Sequence, residues 1–160
     1  MNEDTSFDRV KIRKARAALT KAGLTPARIA AAASHLARAR ESLEIMTEAV
    51  LQRAAQKSET GGVLLDAAAL AAAPREVGLR GLASILMAVG GQAYRPRFES
   101  LERLFDRLTG PGLGGGATLH GCHLRPVPAA FAPFNLAVIP ENPRKTRSST
   151  EPRGRKRIQQ

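Results

Sequence analysis

Residues 26–57 read Pro26-Ala-Arg-Ile29-Ala-Ala-Ala32-Ala-Ser-His35-Leu36-Ala-Arg-Ala39-Arg-Glu-Ser-Leu43-Glu-Ile-Met46-Thr-Glu-Ala-Val50-Leu-Gln-Arg53-Ala-Ala-Gln-Lys57. Ile29, Leu36, Leu43 and Val50 recur every seven residues, and Ala32, Ala39 and Met46 fill the intermediate positions of the same seam. This period predicts one long helix over 26–57 that packs along most of its length, because a heptad of apolar residues lies on one face. The small alanines permit close approach of a second helix, and the seam is read as an intramolecular scaffold rather than a dimer interface. It loses its apolar character at Arg53.

Outward from this helix the signals stay helical. Ile12, Ala15, Leu19 and Ala22 share a face over 8–22, with Lys21 in the last turn and Gly23 as the stop. Thr25 and Pro26 then serve as N-cap and first helical residue. After a break at 58–62, Val63-Leu64-Leu65 is a buried strand or a turn, and Asp66 caps a short Ala-rich helix ending before Pro74. Pro74 opens a helix over 75–89 whose stripe is Leu79, Leu82, Leu86 and Val89, closed by Gly90-Gly91. Pro96 opens another, with Phe98, Leu101, Leu104, Phe105 and Leu108 inward. Residues 117–124 admit a short β segment. Pro126, Pro128 and Pro133 interrupt regular structure beyond Arg125, and 140–160 is polar, basic and Pro-containing, which predicts disorder. The expected fold is mainly α, a long linker helix with a small helical bundle. Three parts are expected: linker helices over 1–60, a helical substrate-binding domain over 61–124, and a Pro-rich, basic, disordered tail over 125–160.

Composition narrows the function. The 160 residues are 43% hydrophobic but only 4% aromatic, with no Trp and one Tyr, so the core is aliphatic and an aromatic platform for single-stranded nucleic acid is excluded. A single cysteine, Cys122, excludes an internal disulfide framework. No apolar run reaches the roughly 18–20 residues of a membrane span, and the acidic Met-Asn-Glu-Asp start lacks an apolar signal segment. A soluble cytoplasmic protein without a membrane partner is therefore expected.

The net charge is +11, which points to a polyanion. Residues 1–40 hold nine Lys/Arg against three Asp/Glu, 41–124 eight against nine, and 125–160 eight against two. The ends are basic and the middle is neutral. On the first helix Arg9, Arg13 and Arg16 stand at i, i+4 and i+7, with Lys11 and Lys14 beside them, and arginine suits bidentate contact with phosphate.

Motifs for chemistry fall short. The loop Gly110-Pro-Gly-Leu-Gly-Gly-Gly116 lacks the Lys-Ser/Thr that a phosphate loop needs and leads into a strand. His120-Gly-Cys122-His123 offers too few ligands for a tetrahedral metal site, and a strand sends Cys122 and His123 to opposite faces. No catalytic, cofactor-binding or metal-ligating residue is assigned.

The run Asn2-Glu-Asp4-Thr-Ser-Phe7-Asp-Arg9-Val-Lys-Ile12-Arg13 resembles the N-x-D…F-x-R-x-x-I-R segment of bacterial tRNA(Ile)-lysidine synthetases. Ala22-Gly-Leu-Thr-Pro-Ala-Arg-Ile, Arg75-Glu-Val-Gly-Leu-Arg80, Val89-Gly-Gly-Gln-Ala-Tyr94-Arg-Pro96-Arg and Gly116-Ala-Thr-Leu-His-Gly-Cys122 continue it, most like the alphaproteobacterial versions. The resemblance covers roughly residues 2–124. It implies a ligase family that joins lysine to the wobble cytidine of an isoleucine tRNA after activating that base with ATP. The family's S-G-G-x-D-S loop is absent, so the resemblance implies a C-terminal part that holds tRNA, is inactive alone and works with ATP bound on a separate catalytic chain. By resemblance Asn2, Asp4, Arg9 and Arg13, with Arg16 on the same face, lie at the edge of the active site or against tRNA. The alternatives are a stand-alone basic RNA-binding or scaffold module without catalysis, and a non-functional gene remnant.

Overall fold

The computed structural model describes residues 5–59 and 61–141. Helix α1 spans Thr5–Lys21 and α2 Pro26–Ala54, followed by strands β1 (Ala55–Lys57) and β2 (Val63–Leu65). Helices α3 (Ala67–Ala71), α4 (Arg75–Gly90) and α5 (Phe98–Thr109) come next. Strands β3 (Ala117–Leu119) and β4 (Cys122–Pro126), a 3-10 turn Ala129–Phe131 and strand β5 (Leu136–Pro140) complete the fold. The chain is mainly α, as expected, with one small sheet. Among the described residues no helix is long and apolar enough to cross a membrane.

The punctuation residues act as their chemistry requires. Thr25 Oγ1 accepts from the Arg28 backbone N–H at 3.3 Å, with Pro26 in the first turn of α2. Asp66 Oδ1 accepts from the N–H groups of Ala68 and Ala69 at the start of α3. Gly91, at φ 64°, ends α4 in the left-handed conformation that glycine adopts without strain. Helix α4 buries Val77, Leu79, Leu82, Ala83, Ile85 and Leu86, so it is apolar nearly all round. It accordingly sits at the centre, against α2, α3 and α5 and against β4 and β5 of the sheet. Leu65, Cys122, Leu124 and Val138 are the sheet's fully buried contribution to that core.

The sheet is antiparallel, ordered β1-β2-β5-β4-β3. It corrects the sequence reading in three places. The long helix stops at Ala54, because Ala55–Lys57 turns into extended pairing with Val63–Leu65. The short β segment at 117–124 is the outer half of a five-stranded sheet rather than an isolated piece. The expected disordered tail over 125–160 does not begin at residue 125: β5 lies between β2 and β4, pairing Val138 with both Val63 and Leu124. The prolines fall where a ladder tolerates them, since Pro126 and Pro140 end strands and Pro128 and Pro133 sit in the connection. Asn135 fastens that connection: its side-chain oxygen accepts from the Ala67 N–H at 3.0 Å and its own N–H donates to Leu65 O at 3.1 Å. Residues 142–160 of that expected tail lie outside the described residues.

The packing of α2 is the fourth difference. Thr47, Val50 and Ala54 are its buried residues, whereas Ile29 is 49% and Leu36 71% exposed. The heptad seam is in contact from Leu43 onward and bare before it.

Candidate nucleic-acid interface

Arg9, Arg13 and Arg16 all fall within α1. At about 100° per residue their Cα positions lie within about 60° of arc, so the helix backbone carries them on one side. From Val10 to Lys21 the helix is exposed, Arg13 and Arg16 included. Asn2 and Asp4 lie outside the described residues.

A defined corner holds α1 to α2. The Leu24 N–H donates to Leu19 O at 2.9 Å and the Gly23 N–H to Thr20 O at 3.0 Å, the paired bonds that close a helix end. Arg28 Nη1 donates to Gly23 O at 3.1 Å across the turn. Gly23, at φ 83°, takes the backbone conformation this corner needs. The basic face is therefore carried on a helix with a fixed exit and not on a loose chain.

Several arginines elsewhere are already engaged. Arg75 bridges Asp106 at 2.6 Å and Glu102 at 3.3 Å, its guanidinium 5.6 Å from the Phe105 ring centre. Hydrogen bonding to Arg75 holds the Asp106 carboxyl below its ordinary range. Arg80 pairs with Glu76 and Arg40 with Glu44, each at 2.7 Å. The hydrogen bond from Arg40 likewise lowers the Glu44 carboxyl. Arg107 donates to the carbonyls of Leu113 and Gly116. These salt bridges lie on α2, α4 and α5, and Arg13 and Arg16 of α1 are exposed.

The Gly110-to-Gly116 loop anchors Leu113 in the core, gives its carbonyls to Arg107 and runs into β3. It presents no helix N-terminus, so it does not suit the phosphates of ATP. No group of three or more His, Cys, Asp or Glu is placed to hold a metal among the described residues. Cys122 is fully buried, its Sγ donating to Leu86 O at 3.3 Å, and burial, with Glu141 adding, pushes its thiol up to about 11.

One junction escaped the sequence reading. His120 and Gly121, at φ 57° and 73°, form the two-residue turn between β3 and β4. His120 Nε2 lies 2.7 Å from Tyr94 O, and the two rings meet edge to face at 5.3 Å. Gly90 packs directly against the His120 carbonyl, leaving no room for a Cβ. The stretches Val89–Arg97 and Gly116–Cys122, separate in sequence, are thereby clasped together. The His-Gly pair between short apolar runs is a turn signal that could have revealed it.

No protein-family profile and no solved structure matches the chain. It is 37% identical over 147 residues to the tRNA(Ile)-lysidine synthase of Methylobacterium nodulans, a match covering 90% of this chain and 43% of that protein. The enzyme of the same name from Methylobacterium sp. strain 4-46 is 37% identical over 152 residues, covering 90% of this chain and 42% of the relative. That from Ruegeria pomeroyi is 38% identical over 107 residues, 67% of this chain and 25% of the relative. The chain thus spans less than half the length of these relatives, and the matched segment is the C-terminal part of each.

Proposed function

We propose that this chain, a relative of the tRNA(Ile)-lysidine synthases over nine-tenths of its length, is the tRNA-holding C-terminal part of such a ligase. The observation that carries the reading is the pair Arg13 and Arg16, exposed on α1 on the same side of the helix backbone as Arg9 and held at a fixed corner. Arginines at fixed spacing grip phosphates in register, whereas the basic stretch 141–160 adds attraction without register. Isoleucine tRNA is the proposed RNA, because the relatives are named for it. Nucleotide chemistry belongs to a catalytic part outside this match, since the glycine loop does not suit ATP. The chain alone then forms no lysidine.

The test compares binding of isoleucine tRNA and of an unstructured RNA of equal length. Replacing Arg9 and Arg13 by Ala is expected to weaken tRNA binding more than binding of the unstructured RNA. Deleting residues 141–160 is expected to weaken both alike. An unchanged tRNA preference in the double variant contradicts the reading.

A further inference from the structure

Strand β3 is an edge of the sheet and pairs with β4 alone. The two-residue turn His120-Gly121 makes Leu119 and Cys122 the hydrogen-bonded pair beside it, so Thr118 and His123 form the next, non-hydrogen-bonded pair. The Thr118 N–H and C=O therefore point away from β4, out of the sheet edge. A groove of about 310 Å³ lies there between β3 and α5, lined by Thr118 and Leu119 on one element and by Ser100, Arg103 and Arg107 on the other. Both arginines are exposed. Arg103 Nη2 donates to Ser100 Oγ at 3.3 Å, and Arg107 Nη2 donates to the carbonyls of Leu113 and Gly116, which holds the two guanidiniums beside the groove. Among the described residues the ion pairs of α5 are those of Glu102 and Asp106 with Arg75, and Glu99 makes none with either groove arginine. The groove side of α5 is thus cationic.

We propose that this edge takes an extended acidic segment of a partner protein as a sixth strand, antiparallel to β3. The inference stands apart from the RNA reading of α1. An outward N–H and C=O on one residue offer a donor and an acceptor together, and an antiparallel strand answers both from a single residue of its own. A phosphate accepts and does not donate, so a phosphate contact leaves the Thr118 carbonyl unused. Charge selects the side chains. Arg103 and Arg107 stand about 6 Å apart along α5 at 1.5 Å per residue, and alternate residues of a strand are about 6.6–6.8 Å apart on one face. Carboxylates on either side of the residue opposite Thr118 match that spacing, each accepting a charge-assisted hydrogen bond. The same charge excludes this chain as its own partner. Residues 142–160 hold seven Lys/Arg against one Asp/Glu, and a second copy docked edge to edge would bring like arginines together.

The probe is an end-blocked peptide of five residues that alternates threonine and glutamate, with threonine at both ends and at the centre. It is titrated into the full chain to about 5 mM, where weak binding registers, and backbone amide signals are followed by NMR. Saturable shifts of the 117–119 amides are expected. Two altered peptides are expected to bind at least about fivefold more weakly, one with glutamine for glutamate and one with the central amide N-methylated, since each removes one kind of contact. Both comparisons use the unaltered chain, so no folding effect enters them. Arg103→Gln is expected to weaken the acidic peptide about threefold or more, with Arg103→Lys losing less, because the charge survives there without the planar fork. No saturable shift at 117–119 overturns the proposal, as does equal binding of the glutamine or the N-methylated peptide. A five-nucleotide RNA that displaces the acidic peptide from the same amides and binds more tightly also overturns it, and makes the occupant a nucleic acid.

Discussion

Leu36 and Val50 hold the same heptad position on α2, and the fold treats them oppositely: Val50 is 6% exposed and Leu36 71%. An aspartate at Val50 places an unpaired charge in the core and is expected to cost several kcal/mol, of order 3 or more. Leu36→Asp meets water and is expected to change stability by roughly 0.5 kcal/mol or less. Melting curves of the two variants check this, and equal losses would put Leu36 in a core. Cys122 offers a second test. Its thiol is raised from 9.0 to about 11, chiefly by burial. A group raised on folding lends stability that is whole below its unfolded value and lost as pH climbs toward the folded one. The native chain is therefore expected to weaken between pH 9 and about 11. At pH 8 its thiol should react with a disulfide reagent far more slowly than the denatured chain does. Equal rates would mean the thiol is accessible.

Elements show where sequence patterns speak and where they stop. Caps and stops at Thr25, Asp66 and Gly91 were legible because each acts on its own backbone neighbours. Strand β1 was not, because Ala55-Gln56-Lys57 suits a last helical turn and only pairing with Val63–Leu65 makes it extended. Strand β5 was hidden behind prolines, although Leu136-Ala-Val-Ile139 is an apolar run of strand length. The heptad of α2 told which face is apolar and could not tell what covers it. The α4–α5 contact carries its own prediction. Arg75 joins the start of α4 to Asp106 of α5 and lowers that carboxyl. A carboxyl lowered on folding contributes stability above its unfolded value, about 4, and loses it as pH falls through the folded one. The wild-type chain should out-melt Asp106→Asn at neutral pH, by a margin that narrows below pH about 4 and shrinks with salt. A margin constant with pH would deny the ion pair any part in it.

At the scale of the whole molecule, a neutral, well-packed body carries a basic helical arm. The arginine face of that arm was legible because i, i+4, i+7 spacing needs nothing but a helix, and α1 supplies it. The Tyr94–His120 clasp was not, since it depends on two segments meeting in space. The core lies in α4 and the sheet, and the proposed function gives recognition to the arm. Grip on phosphate releases counterions, and each lost contact lowers the slope of log affinity against log salt by about 0.7–0.9. The most direct measurement is that slope for isoleucine tRNA, taken for the wild-type chain and for the chain with Arg9, Arg13 and Arg16 all replaced by Ala. The account predicts a slope shallower by about 2–3 in the triple variant, with melting unchanged. A slope equal to that of the wild type would place the RNA elsewhere and contradict the central claim.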